Sequence, residues 1–375
     1  MLAWRRLRSD TVGMVSLAIV AAFIVMMILS ALGFVAADWN REVGINYAPP
    51  SFVDVEPAAP PPPVATSGAT GAESVPTGPE YHSTIVDPIG DVIEQLRSGK
   101  PAGAPGAPDK SGASDEKSVD PLADVMADIR AGKGVAAAVK PEDRRATLPL
   151  GGDKWGRDVL RKTIKGSETS IFVGLAAAAV ATFLGTLFGA IAGYYGRWVD
   201  DFFNWFYSVF SSIPYLLLIL AVAAVLQQKG TMTIILILGL TGWTGVFRLI
   251  RAEYLKHKSR EYVQAADAIG ASNARRMFVH IFPNVSHVVL VQLSILVVGF
   301  IKSEVILSFL GFGVPVDVVS WGSMLNEAQN ELILGKWWQL VSAGTAMAVL
   351  VTAFSLFTDA LRDALDPKLR GRAGT

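Results

Sequence analysis

A polar and basic stretch at residues 261–284 interrupts an otherwise apolar half of the chain. Its sequence, EYVQAADAIGASNARRMFVHIFPN, separates two apolar runs that are each long enough to span a bilayer. Residues 248–284 carry seven basic and three acidic side chains. A polar segment of this length cannot be buried in lipid, and basic loops between membrane helices favour the cytoplasmic side. The chemistry that this pattern predicts is the docking of a cytoplasmic partner protein.

The docking stretch has the sequence pattern of two short helices. The first is predicted at 260–269, and it clusters small residues that allow another protein's backbone to approach closely. Gly270 permits a tight turn, and Ser272 can cap a second helix from 273 to about 282. Pro283 is expected to separate this second helix from the next membrane span.

Two ionisable side chains, Lys302 and Glu304, lie inside the fifth apolar run. Charges at membrane depth are costly, about 2.5–3.5 kcal/mol on lenient scales, and they therefore indicate a function or a partner. We expect each to pair within the helix bundle or to reach the outer surface. The alternative is that one or both line a polar path through the membrane. Because they are two residues apart on a helix, they do not face each other.

Catalytic and metal chemistry are not predicted for this chain. It has no G-x-x-x-x-G-K-[ST] phosphate loop, so it is not expected to bind ATP through that device. Its four histidines lack the spacing of metal ligands, and it has no cysteine. We therefore expect no catalytic residue, no metal site and no cofactor bound by the chain itself, and no nucleic-acid partner.

The elements that position these residues are membrane helices. The chain is 51% hydrophobic, and six apolar runs reach the ~20 residues that a helix needs to cross a bilayer. These runs are 11–37, 168–194, 202–228, 230–250, 286–310 and 337–358. The pattern predicts an all-α polytopic membrane protein with six transmembrane helices. Gly185, Gly189 and Gly193 are spaced by four, which favours close helix packing.

The distribution of charge predicts which side of the membrane each loop occupies. Basic residues concentrate in 1–10, in 251–284 and in the tail 363–375, so these segments are expected in the cytoplasm, together with both termini. Residues 38–145 carry 17 acidic and 10 basic side chains, which favours the outer side. A cleaved signal peptide would have an apolar region of about 7–15 residues, shorter than the run at 11–37.

The outer insert, 38–147, contains an internal repeat. Residues 86–100 and 119–133 are identical at eight of fifteen positions, and each has an apolar stripe of helical spacing. Helices this short are marginal alone in water, so we expect them to dock on the protein's own outer surface or on each other. The alternative is that they bind a separate extracytoplasmic partner. The segments 48–80 and 100–118 are rich in Pro, Ala, Gly and Ser, a composition typical of disorder.

The docking stretch resembles the EAA loop of permease subunits from binding-protein-dependent ABC importers. The family pattern is E-A-A, three residues, Gly, nine residues and I-x-L-P. Gln264, Ala265, Ala266, Gly270 and Pro283 keep this spacing, with Gln in place of Glu. The resemblance implies that 251–284 is an ATPase-coupling loop. Its implied contact residues are Arg260, Glu261, Gln264, Ala265, Ala266, Asp267, Gly270, Arg275, Arg276 and Pro283.

Further segments are similar to landmarks of the peptide/nickel permease group, specifically its oligopeptide and dipeptide permease C type. These segments are 150–160, 193–196, 307–313, 320–325 and 361–367. The resemblance covers 1–37 and 148–370, and it implies a type I ABC importer permease fold with a core at 148–362.

The resemblance also implies the partners of the chain. They are a second, related permease subunit, two cytoplasmic ATPase subunits that bind ATP and Mg, and a periplasmic solute-binding protein, all at a bacterial inner membrane. Oligopeptides or dipeptides are the implied solutes, and nickel, glycosides or another non-peptide solute are the alternative.

Two rival functions belong to other classes. A secondary transporter would need membrane-embedded coupling carboxylates and often shows inverted repeats, whereas these helices hold few acids. A membrane anchor would serve the repeat helices of the outer insert. Deletion of 48–145 would abolish the activity of an anchor and would leave an importer largely intact.

Overall fold

The computed structural model describes residues 7–53 and 144–365, which form helices joined by loops with isolated β-bridges. In chain order the helices are α1 (Thr11–Ala31), α2 (Val159–Tyr195), α3 (Arg197–Ser211), α4 (Tyr215–Leu226), α5 (Thr231–Thr241), α6 (Thr244–Lys258), α7 (Glu261–Ala268), α8 (Asn273–Phe309), α9 (Trp321–Ile333) and α10 (Trp338–Leu365). The predicted repeats at 86–100 and 119–133, and most of the insert that holds them, lie outside the described residues.

Four of these helices, α1, α2, α8 and α10, are long and apolar enough to cross a membrane. The pairs α3–α4 and α5–α6 meet the same criteria only when each pair is taken together, and they are bent by 82° and 40°. Counting each bent pair as one span gives six spans. The predicted all-α architecture is therefore confirmed for the described residues, and the predicted six membrane segments correspond to the count in which each bent pair is one span.

The bent pairs differ from the straight helices expected at 202–228 and 230–250. Pro214 has no backbone N–H and restricts the residue before it, so α3 ends at Ser211 and α4 begins at Tyr215. The second bend follows Gly242. A Cβ at Gly242 would lie 2.3 Å from Cζ of Phe300, so only glycine permits this approach.

The glycines of α2 form a close packing surface, as their spacing predicts. Gly185, Gly189 and Gly193 face α6 along its length. A Cβ added to them would lie 2.6–2.8 Å from the carbonyl oxygens of Trp243, Phe247 and Arg251. The two backbones are therefore in direct contact, and any side chain on this stripe of α2 would force them apart.

The bundle has two ends, which we name from what lies there. The loop end holds α7. The start of α1 and the end of α10 also lie there, side by side, since Gly13 of α1 packs on Ala360 of α10. The far end holds α9 and the segments 38–53 and 144–158, which isolated bridges such as Glu42–Arg157 and Pro50–Leu148 connect. The first and last described helices therefore begin and end at the same end of the bundle.

Candidate functional site: the loop end and its link to the spans

The predicted helix–turn–helix is present at the loop end. Its first helix, α7, begins after Arg260 and is shorter than the predicted 260–269. Gly270 has φ +81°, a left-handed conformation that glycine adopts without strain, and it closes the turn. Ser272 accepts the backbone N–H of Arg275 at 3.3 Å and so caps the start of α8.

The helix α7 turns one face to the bundle and the other to solvent. Val263 and Ala266 are buried, and Val263 packs in one cluster with Met277 of α8, whereas Gln264 and Ala265 are exposed. We expected both alanines to lie on the docking surface. Only Ala265 is accessible there, because helical periodicity turns Ala266 inward, where its small side chain allows α7 to lie close to the spans.

Three large apolar side chains on this loop are exposed, and sequence reasoning did not single them out. Ile269 is 85% exposed, Val279 58% and Phe278 50%. Exposed apolar side chains on a polar loop are typical of a contact surface. The available signal was the apolar pair Phe278-Val279 inside an otherwise basic segment.

The charged residues of the loop fasten α7 to the bundle. Arg276 forms an ion pair with Asp267, donates to Asn273 and lies 5.8 Å from the centre of the Tyr194 ring at the end of α2. The Tyr194 hydroxyl in turn donates to Asn273 at 3.0 Å. Arg260, Glu261 and Arg275 remain exposed, so they are available to a partner.

Tyr262 connects α7 to two membrane segments. Its hydroxyl lies 2.8 Å from Nδ1 of His257 on α6 and accepts a longer hydrogen bond of 3.5 Å from Asn284 on α8. Burial raises the pKa of the Tyr262 hydroxyl, so it stays neutral. A movement of α7 is therefore passed to both α6 and α8.

Pro283 does not separate the second helix of the loop from the following span, contrary to our expectation. The helix α8 runs from Asn273 to Phe309, and its turn at Arg276–Ile281 is π-helical. Proline cannot donate to the carbonyl one turn earlier, and a widened turn accommodates its ring. The Asn284 side chain instead donates to the His280 carbonyl at 2.8 Å. The second helix of the docking stretch and the fifth span are thus one continuous helix.

The two ionisable residues of the fifth span point in different directions. Glu304 is fully buried and accepts hydrogen bonds from Ser170 at 2.6 Å and from Ser308 at 2.7 Å. Its carboxylate therefore pairs within the bundle, as we expected first. Lys302 is exposed on the opposite side of α8 and has no such partner in the described part of the chain.

A buried charged cluster at the far end is a feature that the sequence did not reveal. Lys162 is 1% exposed, and its Nζ lies 2.9 Å from Asp153 and 2.5 Å from Glu327. Glu331 is buried beside it and accepts the Lys154 backbone N–H at 3.3 Å. Desolvation raises the pKa of Glu331 to about 7. This cluster holds α9 against α2 and the segment before it.

Taken together, the geometry at the loop end suits the transmission of movement. Within residues 7–53 and 144–365, no group of three or more histidine, aspartate or glutamate side chains has the arrangement of a metal site. The exposed face of α7 can be held by another protein, and its buried face, Arg276 and Tyr262 tie it to three spans. These contacts connect the position of α7 to α2, α6 and α8.

The sequence matches two protein families over most of the described region. Residues 185–371 match the family described as binding-protein-dependent transport system inner membrane component. Residues 1–50 match the N-terminal TM domain of oligopeptide transport permease C. The first match includes the glycine stripe of α2, the whole of the docking stretch and every helix that follows it.

Several bacterial proteins are similar to this chain. The dipeptide transport system permease protein DppC of Bacillus subtilis is 37% identical over 221 residues, which are 59% of this chain and 69% of that protein. The oligopeptide transport system permease protein OppC of the same organism is 37% identical over 221 residues, covering 59% and 72%. The peptidoglycan transport system permease protein YejE of Agrobacterium fabrum is 35% identical over 219 residues, covering 58% and 57%. The chain therefore belongs to the family of binding-protein-dependent transport system inner membrane components.

Proposed function

We propose that this chain is the membrane-spanning subunit of an ATP-driven importer that moves oligopeptides or dipeptides into a bacterial cell. The observation that carries the proposal is the construction of the loop end. A short helix presents Ala265 and Gln264 outward, and its other face is locked to the spans. A partner that holds α7 can therefore drive the bundle, and the chain itself needs no ATP site.

The partners follow from the same assignment. Two cytoplasmic ATPase subunits, which bind ATP and Mg, would hold the α7 helices of this chain and of a second permease subunit. A periplasmic solute-binding protein would deliver the solute at the far end. The loop end would face the cytoplasm with both termini, which is supported by the excess of basic residues in 248–284.

In the mechanism that we propose, ATP binding closes the two ATPases and carries α7 with them. Arg276 and Tyr262 pass this movement to α2, α6 and α8. The bundle opens toward the far end, accepts the solute, and returns when ATP is hydrolysed. The chain contributes a path and a mechanical link, and the chemistry of hydrolysis belongs to its partners.

Peptides are the proposed solutes because similar proteins carry that description. Two relatives at 37% identity are described as dipeptide and oligopeptide permeases. The peptidoglycan permease YejE, at 35% identity, keeps a larger or modified peptide as a second candidate. Family membership favours the importer over a secondary transporter or a membrane anchor, since neither rival uses a docking loop of this kind.

Co-purification tests the proposal. The tagged chain is expressed with its partner subunits, and the ATPases that remain bound are quantified for the wild type and for Ala265→Asp. Because Ala265 is exposed on α7, a charged side chain there obstructs docking without entering the core. We expect loss of the ATPases and of ATP-driven peptide uptake by proteoliposomes. Ala266→Asp would instead place a charge in the buried face and would confuse docking with folding.

Two control variants separate docking from general effects. Ala265→Ser keeps a small side chain at the same position and should retain the ATPases. Gln329→Asp adds a charge to an exposed position of α9 at the far end and should also retain them. If the wild type binds no ATPase, or if Ala265→Asp binds and transports normally, the importer proposal fails.

A further inference from the structure

One face of α8 is left uncovered by every other described part of the chain. Ile295, Lys302 and Ile306 are exposed, and their spacing places them on one side of the helix. Gly299 lies between them, and a Cβ added there would meet nothing within 4 Å. The opposite side, which includes Glu304, is packed into the bundle.

The charge on this face argues against contact with lipid. No ion pair of the Lys302 ammonium is found among residues 7–53 and 144–365, and the nearby Glu304 carboxylate is bonded to Ser170 instead. Lys302 precedes the end of α8 at Phe309 by seven residues, which is about 10 Å along the helix. An ionised side chain at such a depth is unfavourable in hydrocarbon and normally faces water or a protein partner.

The same face leads to a cavity of mixed polar and apolar lining at the loop end. This cavity has a volume of about 330 Å³ and is lined by Val288, Gln292 and Ile295 of α8, with Glu253 of α6 and Arg362 of α10 among the remaining residues. Positions 288, 292, 295, 299 and 302 follow one another at steps of three and four, so they share one side of α8. The uncovered strip is therefore continuous from Lys302 to the cavity.

We propose that this face of α8 lines the solute path and that Lys302 is its anion subsite, which binds the terminal carboxylate of a peptide in transit. The inference rests on the proposed function. A terminal carboxylate is common to peptides of every sequence, and a lysine ammonium offers it a point charge with three hydrogen-bond donors. The open space at Gly299, one turn away, leaves room for a main chain.

Cysteine labelling in the assembled transporter tests both parts. The chain has no native cysteine, so a single introduced thiol can be followed on this subunit by a gel shift. Ile306→Cys lies on the proposed path, and Ile301→Cys is its matched control because Ile301 is 1% exposed on the packed side. We expect membrane-impermeant thiosulfonates to label the first variant and not the second, in membrane vesicles with or without trapped nucleotide.

The charge of the reagent tests the anion subsite. The rate of each thiosulfonate is expressed relative to its own rate with a free thiol. On that scale an anionic thiosulfonate should react with Ile306→Cys about threefold or more faster than a cationic one, because Lys302 is one turn away. Lys302→Gln should bring this ratio close to one, and Lys302→Arg should preserve it. A ratio unchanged by Lys302→Gln overturns the subsite. Labelling of Ile306→Cys only by a lipid-soluble maleimide overturns the path.

Uptake measurements connect the subsite to peptides. At saturating binding protein, we expect the wild type to transport a peptide with a free C-terminus faster than its C-terminal amide, and Lys302→Gln to lose this preference. Because the binding protein is the same in both, a change in the ratio belongs to this chain. If wild-type vesicles take up no peptide at all, the proposed function fails; if they do and Ile306→Cys stays unlabelled, only this inference fails.

Discussion

Ser170 of α2 donates its hydroxyl hydrogen to the Glu304 carboxylate of α8 at 2.6 Å. The same Ser170 oxygen accepts the backbone N–H of Trp321, the first residue of α9, at 3.2 Å. Ser308 donates to the other carboxylate oxygen at 2.7 Å. One carboxyl group with no exposed surface therefore connects three helices, and its contribution is to the integrity of the bundle.

Removal of this carboxyl group should destabilise the subunit. Glu304→Ala leaves two buried hydroxyls without their acceptor and opens a cavity, and each orphaned group costs about 1–3 kcal/mol. We expect a markedly lower melting temperature for the purified complex by scanning fluorimetry. Glu304→Gln keeps the volume and the hydrogen-bonding capacity and should lose much less. Equal melting temperatures for Glu304→Ala and wild type, with impaired transport, would instead place Glu304 on the solute path.

The glycine stripe of α2 predicts a contrast between two substitutions of the same type. Gly189→Ala places a Cβ 2.8 Å from the Phe247 carbonyl oxygen, where the backbone of α6 must move. Overpacking of this kind typically costs about 1–3 kcal/mol. Gly299→Ala on α8 meets no atom within 4 Å, and alanine gains up to about 1 kcal/mol in helix propensity. We expect a lower melting temperature for the first variant and an unchanged or higher one for the second.

The stability of the protein should depend on pH through the raised pKa of the Glu331 carboxyl group. Desolvation raises its pKa from 4.5 to about 7. The charge of Lys162 lowers this pKa, and the charges of Asp153 and Glu327 raise it further. The folded state therefore binds this proton more tightly than the unfolded state. Its contribution to stability is greatest below pH 4.5, falls as the pH rises to about 7 and is constant above that value.

Glu331→Gln replaces the titratable carboxyl group with a neutral amide and serves as the test. The wild type should lose about 3 kcal/mol between pH 4.5 and pH 7 from this group alone, a change that scanning fluorimetry across buffers can follow. The difference in melting temperature between wild type and Glu331→Gln should shrink as the pH falls. A difference that does not depend on pH would show that folding does not raise the pKa of Glu331.

Hydropathy was sufficient to predict the spans, because the bilayer requires about 20 apolar residues whatever the tertiary contacts are. Capping and turn residues likewise predicted the loop, where Gly270 and Ser272 act as expected. The bend before Tyr215 was signalled by Pro214, but hydropathy alone treats such a run as continuous.

Other features depend on contacts between residues that are far apart in sequence. Lys162 meets Glu327 across a separation of 165 residues, so no local pattern could predict their pairing. The inward orientation of Ala266 depends on where α7 rests against Met277 and Ile281. The sequence shows that both alanines are small. Only the packing of α7 on the spans distinguishes the one that a partner can contact.

The unbroken course of α8 determines how far a small movement reaches. From Phe282 to Phe309 it has 28 residues and a length of about 42 Å, and its loop end continues through the π-helical turn into the second helix of the docking stretch. If α8 behaves as a rod pivoting at that end, a tilt of about 10° displaces Phe309 by about 7 Å. The strip with Lys302 would sweep through most of this distance. A shift of one side chain's length at α7 is thus geometrically sufficient to open or close a route as wide as a peptide, with α8 as the lever arm.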